Sequence, residues 1–220
     1  MSFKFFIPVA YSSIRNNLMV KALLLAVVCL YALITTQAFA AGDPVAGKSK
    51  AAICAACHGP DGNSTNPAWP NIAGQHEEYI FKQLMDFKSG KRDNPQMSPI
   101  ISTMNEEDLH DVAAYFSTQT PKPGTAKPSN ILTAERIYRA GNPETGLAAC
   151  TGCHGPNGSG NPEARFPALS GQHAEYTSAT LKAYKSEIRS NDPNSIMRNI
   201  ASKLTNDDIN VIANYLQGLH

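Results

Sequence analysis

The sequence predicts an all-α fold arranged as two like domains in tandem, and three observations carry that prediction. Apolar residues recur at helical spacing, as at Ile80, Leu84 and Phe87. No alternating apolar and polar run of useful length marks a strand. The chain also repeats itself: CAACHGPDGNS answers CTGCHGPNGSG, Trp69-Pro70-Asn71-Ile72-Ala73-Gly74-Gln75-His76 answers Phe166-Pro167-Ala168-Leu169-Ser170-Gly171-Gln172-His173, and Met97-Ser98-Pro99-Ile100-Ile101 answers Met197-Arg198-Asn199-Ile200-Ala201.

Residues 1–40 form a separate segment. Lys4, Arg15 and Lys21, with no acidic residue, are followed by the apolar run Ala22 to Ile34 and then Ala38-Phe39-Ala40. That order reads as a secretory signal peptide cleaved after Ala40, with Met19 an alternative start. The rival, a retained membrane anchor, needs ~20 apolar residues to cross a bilayer, and this run has 13. Cleavage removes Cys29 and takes the formal charge from +1 to −2. The remaining four cysteines all lie in the two CHGP-containing motifs, so none is left for a structural disulfide. Near-balanced charge gives no basic surface for nucleic acid.

The expected domains are 41–121 and 131–220, joined by a linker at 122–130. The break itself, Thr118 to Asn130, carries three prolines and no apolar periodicity, which predicts a semi-rigid surface strap. A helix is expected over Pro44 to Cys57, and another over Thr133 to Ala140 with Gly141 as its stop. Ile80, Leu84 and Phe87 define a longer helix, matched by Leu181 and Tyr184. Leu109, Val112, Ala113 and Phe116 define the last helix of the first half, with Asn105 as N-cap and three acidic residues in its first turn. Asn206, Asp207, Asp208, Ile209, Ile212, Ala213 and Leu216 repeat that design.

The chemistry lies in Cys54-Ala55-Ala56-Cys57-His58 and Cys150-Thr151-Gly152-Cys153-His154. Two thiols three positions apart can each form a thioether to a porphyrin vinyl group, and the adjacent imidazole then faces the iron. A four-thiol zinc site wants its pairs roughly 15 to 20 residues apart, whereas Cys57 and Cys150 are 93 apart. A redox dithiol wants a βαβ context that is missing here. Two covalently bound haem c groups are therefore expected. In domains of this size the cofactor should form much of the core, and chains without it should not fold stably.

For the second axial ligand the first half offers Met85, Met97 and Met104. The repeat sets Met85 against Lys182 and Met104 against Leu204, while Met97 alone faces a methionine, Met197. Each of the matched pair lies 12 residues before the leading apolar residue of the last helix, Leu109 or Ile209. Core filling is the plainer use of a methionine, but the coincidence favours ligation. His76 and His173 also coincide, so bis-histidine ligation stays open, although packing or hydrogen bonding at a helix start is preferred. His110 and His220 lack equivalents and are read as surface residues. Pro70 and Pro167 either wall the porphyrin or offer a carbonyl to the motif histidine's Nδ1–H. Tyr79 and Tyr176, or Tyr115 and Tyr215, could reach haem propionates or simply pack.

With AGDPVAGKSKAAICAACHGPDGNS at its start, two Pro-x-x-x-Gly-Gln segments, the late methionines and Ile-Ala-Asn-Tyr-Leu-Gln-Gly-Leu-His at its end, the chain from Ala41 to His220 resembles the di-haem cytochrome c4 family. That resemblance implies a class I cytochrome c fold in each half, axial pairs His58 with Met97 and His154 with Met197, and the carbonyl role for Pro70 and Pro167. It implies a periplasmic electron carrier, soluble or loosely membrane-associated, between a quinol-oxidising complex and a terminal oxidase. Two departures stand out: a short stretch before Met97, and Ala134 where a glycine is expected. The rival readings are a di-haem peroxidase-type enzyme and a membrane-fixed haem subunit of an oxidase complex.

Overall fold

The structure is a computed structural model that describes residues 17, 19–25 and 42–220. The chain divides into two units, 1–40 and 41–220. Residues 19–25 are helical with exposed apolar side chains, and among the described residues no helix is long and apolar enough to cross a membrane. The expected cleavage point after Ala40 and Cys29 lie outside the described residues.

The regular elements of the larger unit are helices joined by loops. Its first half contains α1 (Pro44–Lys50), a 3-10 turn (Ala51–Cys54), α2 (Ala55–His58), α3 (Glu77–Lys88), α4 (Met97–Ser102) and α5 (Glu106–Ser117). Its second half contains α6 (Ile131–Ala140), α7 (Thr151–His154), α8 (Ala174–Lys185), a 3-10 turn (Pro193–Ser195), α9 (Ile196–Ala201) and α10 (Asn206–Gln217). Extended pairing among the described residues amounts to two isolated bridges, Asn142 with Leu147 and Asn161 with Phe166.

Local chemistry accounts for the helix starts. Asp43 caps α1 by accepting from the Val45 and Ala46 N–H groups, with Pro44 in the first helical position. Asn105 and Asp108 close a capping box on α5. In the second half the box is made by Thr205 and Asp208, so Thr205 is the cap and Asn206 already lies inside the helix. The expected Pro44–Cys57 helix is divided by the 3-10 turn, and the second-half helix begins at Ile131, two residues earlier than expected.

Each half has its own core. Ile80, Leu84 and Phe87 meet Leu109, Val112 and Phe116 in the first, while Leu181, Ile209, Ile212 and Leu216 are joined by Ile137 and Tyr138 in the second. The first and last helices cross tightly in the first half, where the Gly47 Cα lies against the backbone of Asp111. Asp111 also accepts from the Asp43 N–H at 2.8 Å and pairs with Lys50 at 2.7 Å. The fourth position of α6 is Ala134, whose methyl is 0% exposed. This crossing leaves room for one more carbon than its counterpart does.

The proline-rich strap is pinned to both halves. Lys122 N–H donates to Asn63 and Lys127 N–H to Asn214, both at 2.8 Å. Pro121 lies over Gly74 and Pro123 over Gly171. Both glycines have positive φ, +64° and +68°, and a side chain there would collide with the strap. Each also donates its N–H to the last helix of its own half, at Phe116 and Leu216. The glycine of the repeated Gly-Gln-His segment is thus required twice over, by backbone conformation and by the strap above it.

The two crossings predict opposite responses to one methyl group. A Cβ on Gly47 would stand 2.0 Å from the Asp111 carbonyl oxygen, so Gly47→Ala should cost about 3 kcal/mol through overpacking. Ala134→Gly should cost only about 1 kcal/mol, chiefly in helix propensity. Denaturant titration of the two holo variants checks this; a stabilised Gly47→Ala protein would contradict the close crossing.

Candidate haem centres

The two CxxCH motifs occupy matching places. Cys54 ends the 3-10 turn and Cys57 and His58 lie in α2, while Cys150 precedes α7, which contains Cys153 and His154. All four thiols are free and half-buried. Cys54 and Cys150 pack against the apolar core of their own half. Burial pushes both of these thiols up to about 11, which keeps them protonated, unlike thiolates poised for metal or redox work.

Both motif histidines are buried, and each is held from behind by a backbone carbonyl. His58 Nδ1 lies 2.9 Å from the Pro70 oxygen, and His154 Nδ1 lies 2.9 Å from the Pro167 oxygen. An acceptor at Nδ1 selects the tautomer in which Nε2 keeps its lone pair for a metal. Burial holds both imidazoles below their ordinary pKa, in the neutral form that ligation needs. Each proline carbonyl thus lies where it can accept the motif histidine's Nδ1–H.

Methionine placement divides less cleanly. Met97 opens α4 and packs against the first-half core, but Met85 and Met104 pack there too. Met197, in α9, packs against the second-half core alongside Cys150. Position alone does not separate the three first-half sulfurs. Two thiols, a braced neutral imidazole, a thioether and an apolar cluster in each half suit a covalently attached haem. Among the described residues no group of three or more His, Cys, Asp and Glu side chains could hold a metal ion, so the donors are not assembled as a zinc cluster.

The remaining histidines have other work. His76 Nε2 bonds the Ser159 carbonyl at 2.8 Å, and His173 Nε2 bonds the Ser64 carbonyl at 2.9 Å. Each ring reaches from one half into the other, immediately before α3 or α8. His110 is not a surface residue: its side chain is 14% exposed and its ring stacks on Phe81 with centroids 3.8 Å apart. It lies on the face of α5 turned toward α3, a placement that the lack of a repeat partner could not reveal. His220 is exposed.

Tyr115 donates to the Pro60 carbonyl at 3.0 Å and Tyr215 packs on Tyr138, both within their own halves. Tyr79 and Tyr176 behave differently. Arg189 donates to the Tyr79 hydroxyl at 3.2 Å and Arg92 to the Tyr176 hydroxyl at 3.1 Å, each across the boundary between halves. Each guanidinium also lies 4.6 Å over an aromatic ring of its own half, Phe87 or Tyr184. Burial opposes ionisation of Tyr176, yet the charges of Arg92 and Arg189 outweigh it and draw its pKa down to about 7. Arg189 is 7% exposed, and among the described residues neither arginine has a carboxylate within 4.0 Å. In the sequence this pair is marked only by the equivalent places of Arg92 and Arg189 in the repeat.

Two tandem helical domains, each presenting paired thiols and a braced imidazole beside an apolar core, define a di-haem c-type cytochrome. The family model for cytochrome c matches residues 45–120 and 139–220. Cytochrome c4 of Thiocapsa roseopersicina is 52% identical over 180 residues, covering 81% of this chain and 93% of that protein. The crystal structure of reduced recombinant cytochrome c4 from Pseudomonas stutzeri superposes with a TM-score of 0.80 at 45% identity, covering 82% of this chain and all of that one. More distant is a thiosulfate dehydrogenase electron acceptor of Stutzerimonas stutzeri, 39% identical over 77% of this chain and 80% of its own length. The chain belongs to the cytochrome c family and, within it, to the cytochromes c4. It carries two covalently bound haem c groups, one at Cys54 and Cys57 and one at Cys150 and Cys153, and it is an electron carrier.

Replacing Cys150 and Cys153 together by alanine should leave one covalent haem per chain, read as a loss of half the haem stain on a denaturing gel. The same variant should lose helical circular dichroism from the second half, because its apolar stripes then lack the cofactor they pack on. Full helicity with cooperative melting would show that the half folds unaided.

Proposed function

We propose that the chain is a periplasmic carrier of single electrons in a respiratory chain, with His58 and Met97 as the axial ligands of one haem and His154 and Met197 as those of the other. Its domains are taken as 41–121 and 131–220 with the linker at 122–130, after removal of residues 1–40. The observation that carries this reading is the duplicated brace, Pro70 on His58 and Pro167 on His154 at the same 2.9 Å, beside a methionine that the repeat matches in both halves.

Bound haem supplies a one-electron Fe(II)/Fe(III) couple. The protein's part is to keep that couple fast and limited to electron transfer. A carbonyl on Nδ1 fixes the ring's tautomer and direction and strengthens Nε2 as a donor. A thioether opposite is a soft ligand that favours the reduced metal, so both potentials should lie above those of bis-histidine haems. Were a histidine and a methionine to hold each haem, substrate and dioxygen would have no open position, which separates this reading from a di-haem peroxidase. His76 and His173, bonded to carbonyls across the boundary, are structural residues in this scheme.

The loops bearing Pro70 and Pro167 face one another, and the electropositive Arg92, Arg189, Tyr79 and Tyr176 cluster lies on the same boundary. That arrangement supports haem propionates turned toward the boundary and electron passage from one half to the other. For the partners, a quinol-oxidising complex as donor and a terminal oxidase as acceptor is the first reading, with at most peripheral membrane contact. The relative named as an acceptor from thiosulfate dehydrogenase favours a second donor class, a sulfur-oxidising dehydrogenase.

The near-infrared charge-transfer band of sulfur-ligated ferric haem should appear at two-haem intensity. Met97→Ala and Met197→Ala should each remove half of it and lower one of the two potentials. An unchanged band in Met97→Ala would move the ligand to another residue, and rapid peroxide turnover by the native protein would replace the carrier reading with an enzyme.

A further inference from the structure

The repeated Gly-Gln-His segment does more than join the halves. The Gln172 side chain crosses to Asn71, where its Oε1 accepts the N–H of the Pro70–Asn71 peptide at 2.9 Å and its Nε2 donates to the Asn71 carbonyl, in the next peptide unit, at 2.8 Å. Gln75 makes the mirror contact in the other direction: its Oε1 accepts the Ala168 N–H and its Nε2 donates to the Ala168 carbonyl, both at 2.9 Å. Each amide has one orientation that satisfies both bonds, since a flip would set oxygen against oxygen. The Oε1 atoms are further fixed by the N–H groups of His173 and His76 at 3.0 Å.

Of the two peptide units that each glutamine grips, the one held through its N–H is the one that braces a motif histidine. The N–H of Asn71 belongs to the same planar unit as the carbonyl of Pro70, which holds His58 Nδ1. The N–H of Ala168 belongs to the same unit as the carbonyl of Pro167, which holds His154 Nδ1. A donor bond made at one end of a peptide unit polarises it and strengthens the acceptor at the other, by perhaps 10–30% per bond. Two three-member chains result: His58 to the Pro70–Asn71 peptide to Gln172, and His154 to the Pro167–Ala168 peptide to Gln75. Each begins in one half and ends in the other.

We propose that Gln172 and Gln75 are crossed positioning residues, each setting the donor strength of the motif histidine in the opposite half and so the potential of that half's haem. The proposal rests on His58 and His154 being iron ligands. A stronger acceptor at Nδ1 gives the imidazole more anionic character, which stabilises the oxidised metal. Removing the glutamine weakens the acceptor, and the potential of the opposite haem rises. Because the two sites are coupled through this contact, loosening one half is felt at the other's iron without any new ligand.

The test is a redox titration of the holo protein followed by residue-assigned NMR signals, which tells the halves apart. Gln172→Met is neutral and of similar length. It should raise the reduced-to-oxidised ratio of the first-half haem about threefold at fixed solution potential, about 28 mV at 59 mV per decade for one electron, with the second-half haem unmoved. Gln75→Met should do the reverse. Gln172→Glu, which keeps an acceptor for Asn71, should not raise the first-half potential. Equal shifts of both haems in either variant, or a shift confined to the glutamine's own half, would overturn the proposal. In the native protein the Asn71 and Ala168 amides should exchange slowly despite lying in loops, and fast exchange there would also overturn it. Ring protons of His58 and His154 without paramagnetic shifts in the oxidised protein would instead defeat the ligand assignment beneath it.

Discussion

Everything at these two centres depends on a backbone carbonyl meeting a ring nitrogen. An imidazole on a short helical turn can rotate, and it can present either nitrogen. The Pro70 and Pro167 carbonyls remove both freedoms by taking Nδ1 at 2.9 Å. No side-chain substitution deletes such an acceptor, so the brace is protected from most mutations and sensitive only to where the loop lies. The loop is positioned by its neighbours: Gly62 accepts from Ile72 and Ala73 in the first half, and Gly158 accepts from Leu169 and Ser170 in the second.

That need for loop position explains why the halves are joined as they are. Their boundary is polar and specific rather than a second apolar core. Gln75 and Gln172 clasp opposite backbones, His76 and His173 bond opposite carbonyls, and Arg92 and Arg189 reach opposite tyrosines. An apolar contact could slide; paired hydrogen bonds to peptide groups hold register. The twofold pattern is broken where Gln83 accepts from Arg92, Arg189 and Asn191 while Asp86 accepts from Asn191 and Lys82. The matching second-half positions are Thr180 and Ala183. This difference gives the two halves unlike electrostatic surroundings even though their motifs are alike.

Much of the fold was legible because its determinants are local. Helical spacing at Ile80, Leu84 and Phe87 became α3, and the acidic start after Asn105 became a capping box. The motif cysteines and histidines were legible for the same reason, since their chemistry is written in adjacent positions. The misreadings came where a neighbour decides. His110 reads as a surface residue from its sequence context, where nothing shows the Phe81 ring that covers it. The Pro44 to Cys57 stretch reads as one helix, yet a 3-10 turn at Ala51–Cys54 divides it.

By itself the sequence determined the helical class, the duplication, the two attachment motifs and the one methionine pair that recurs in both halves. These follow from periodicity and from residue types held at fixed spacing, which any chain carries in linear form. Only the tertiary structure decided what the Gly-Gln-His segments are for, because their partners lie about a hundred positions away, in the other copy of the repeat. A repeat shows that a segment is needed twice; it cannot show that each copy serves the other.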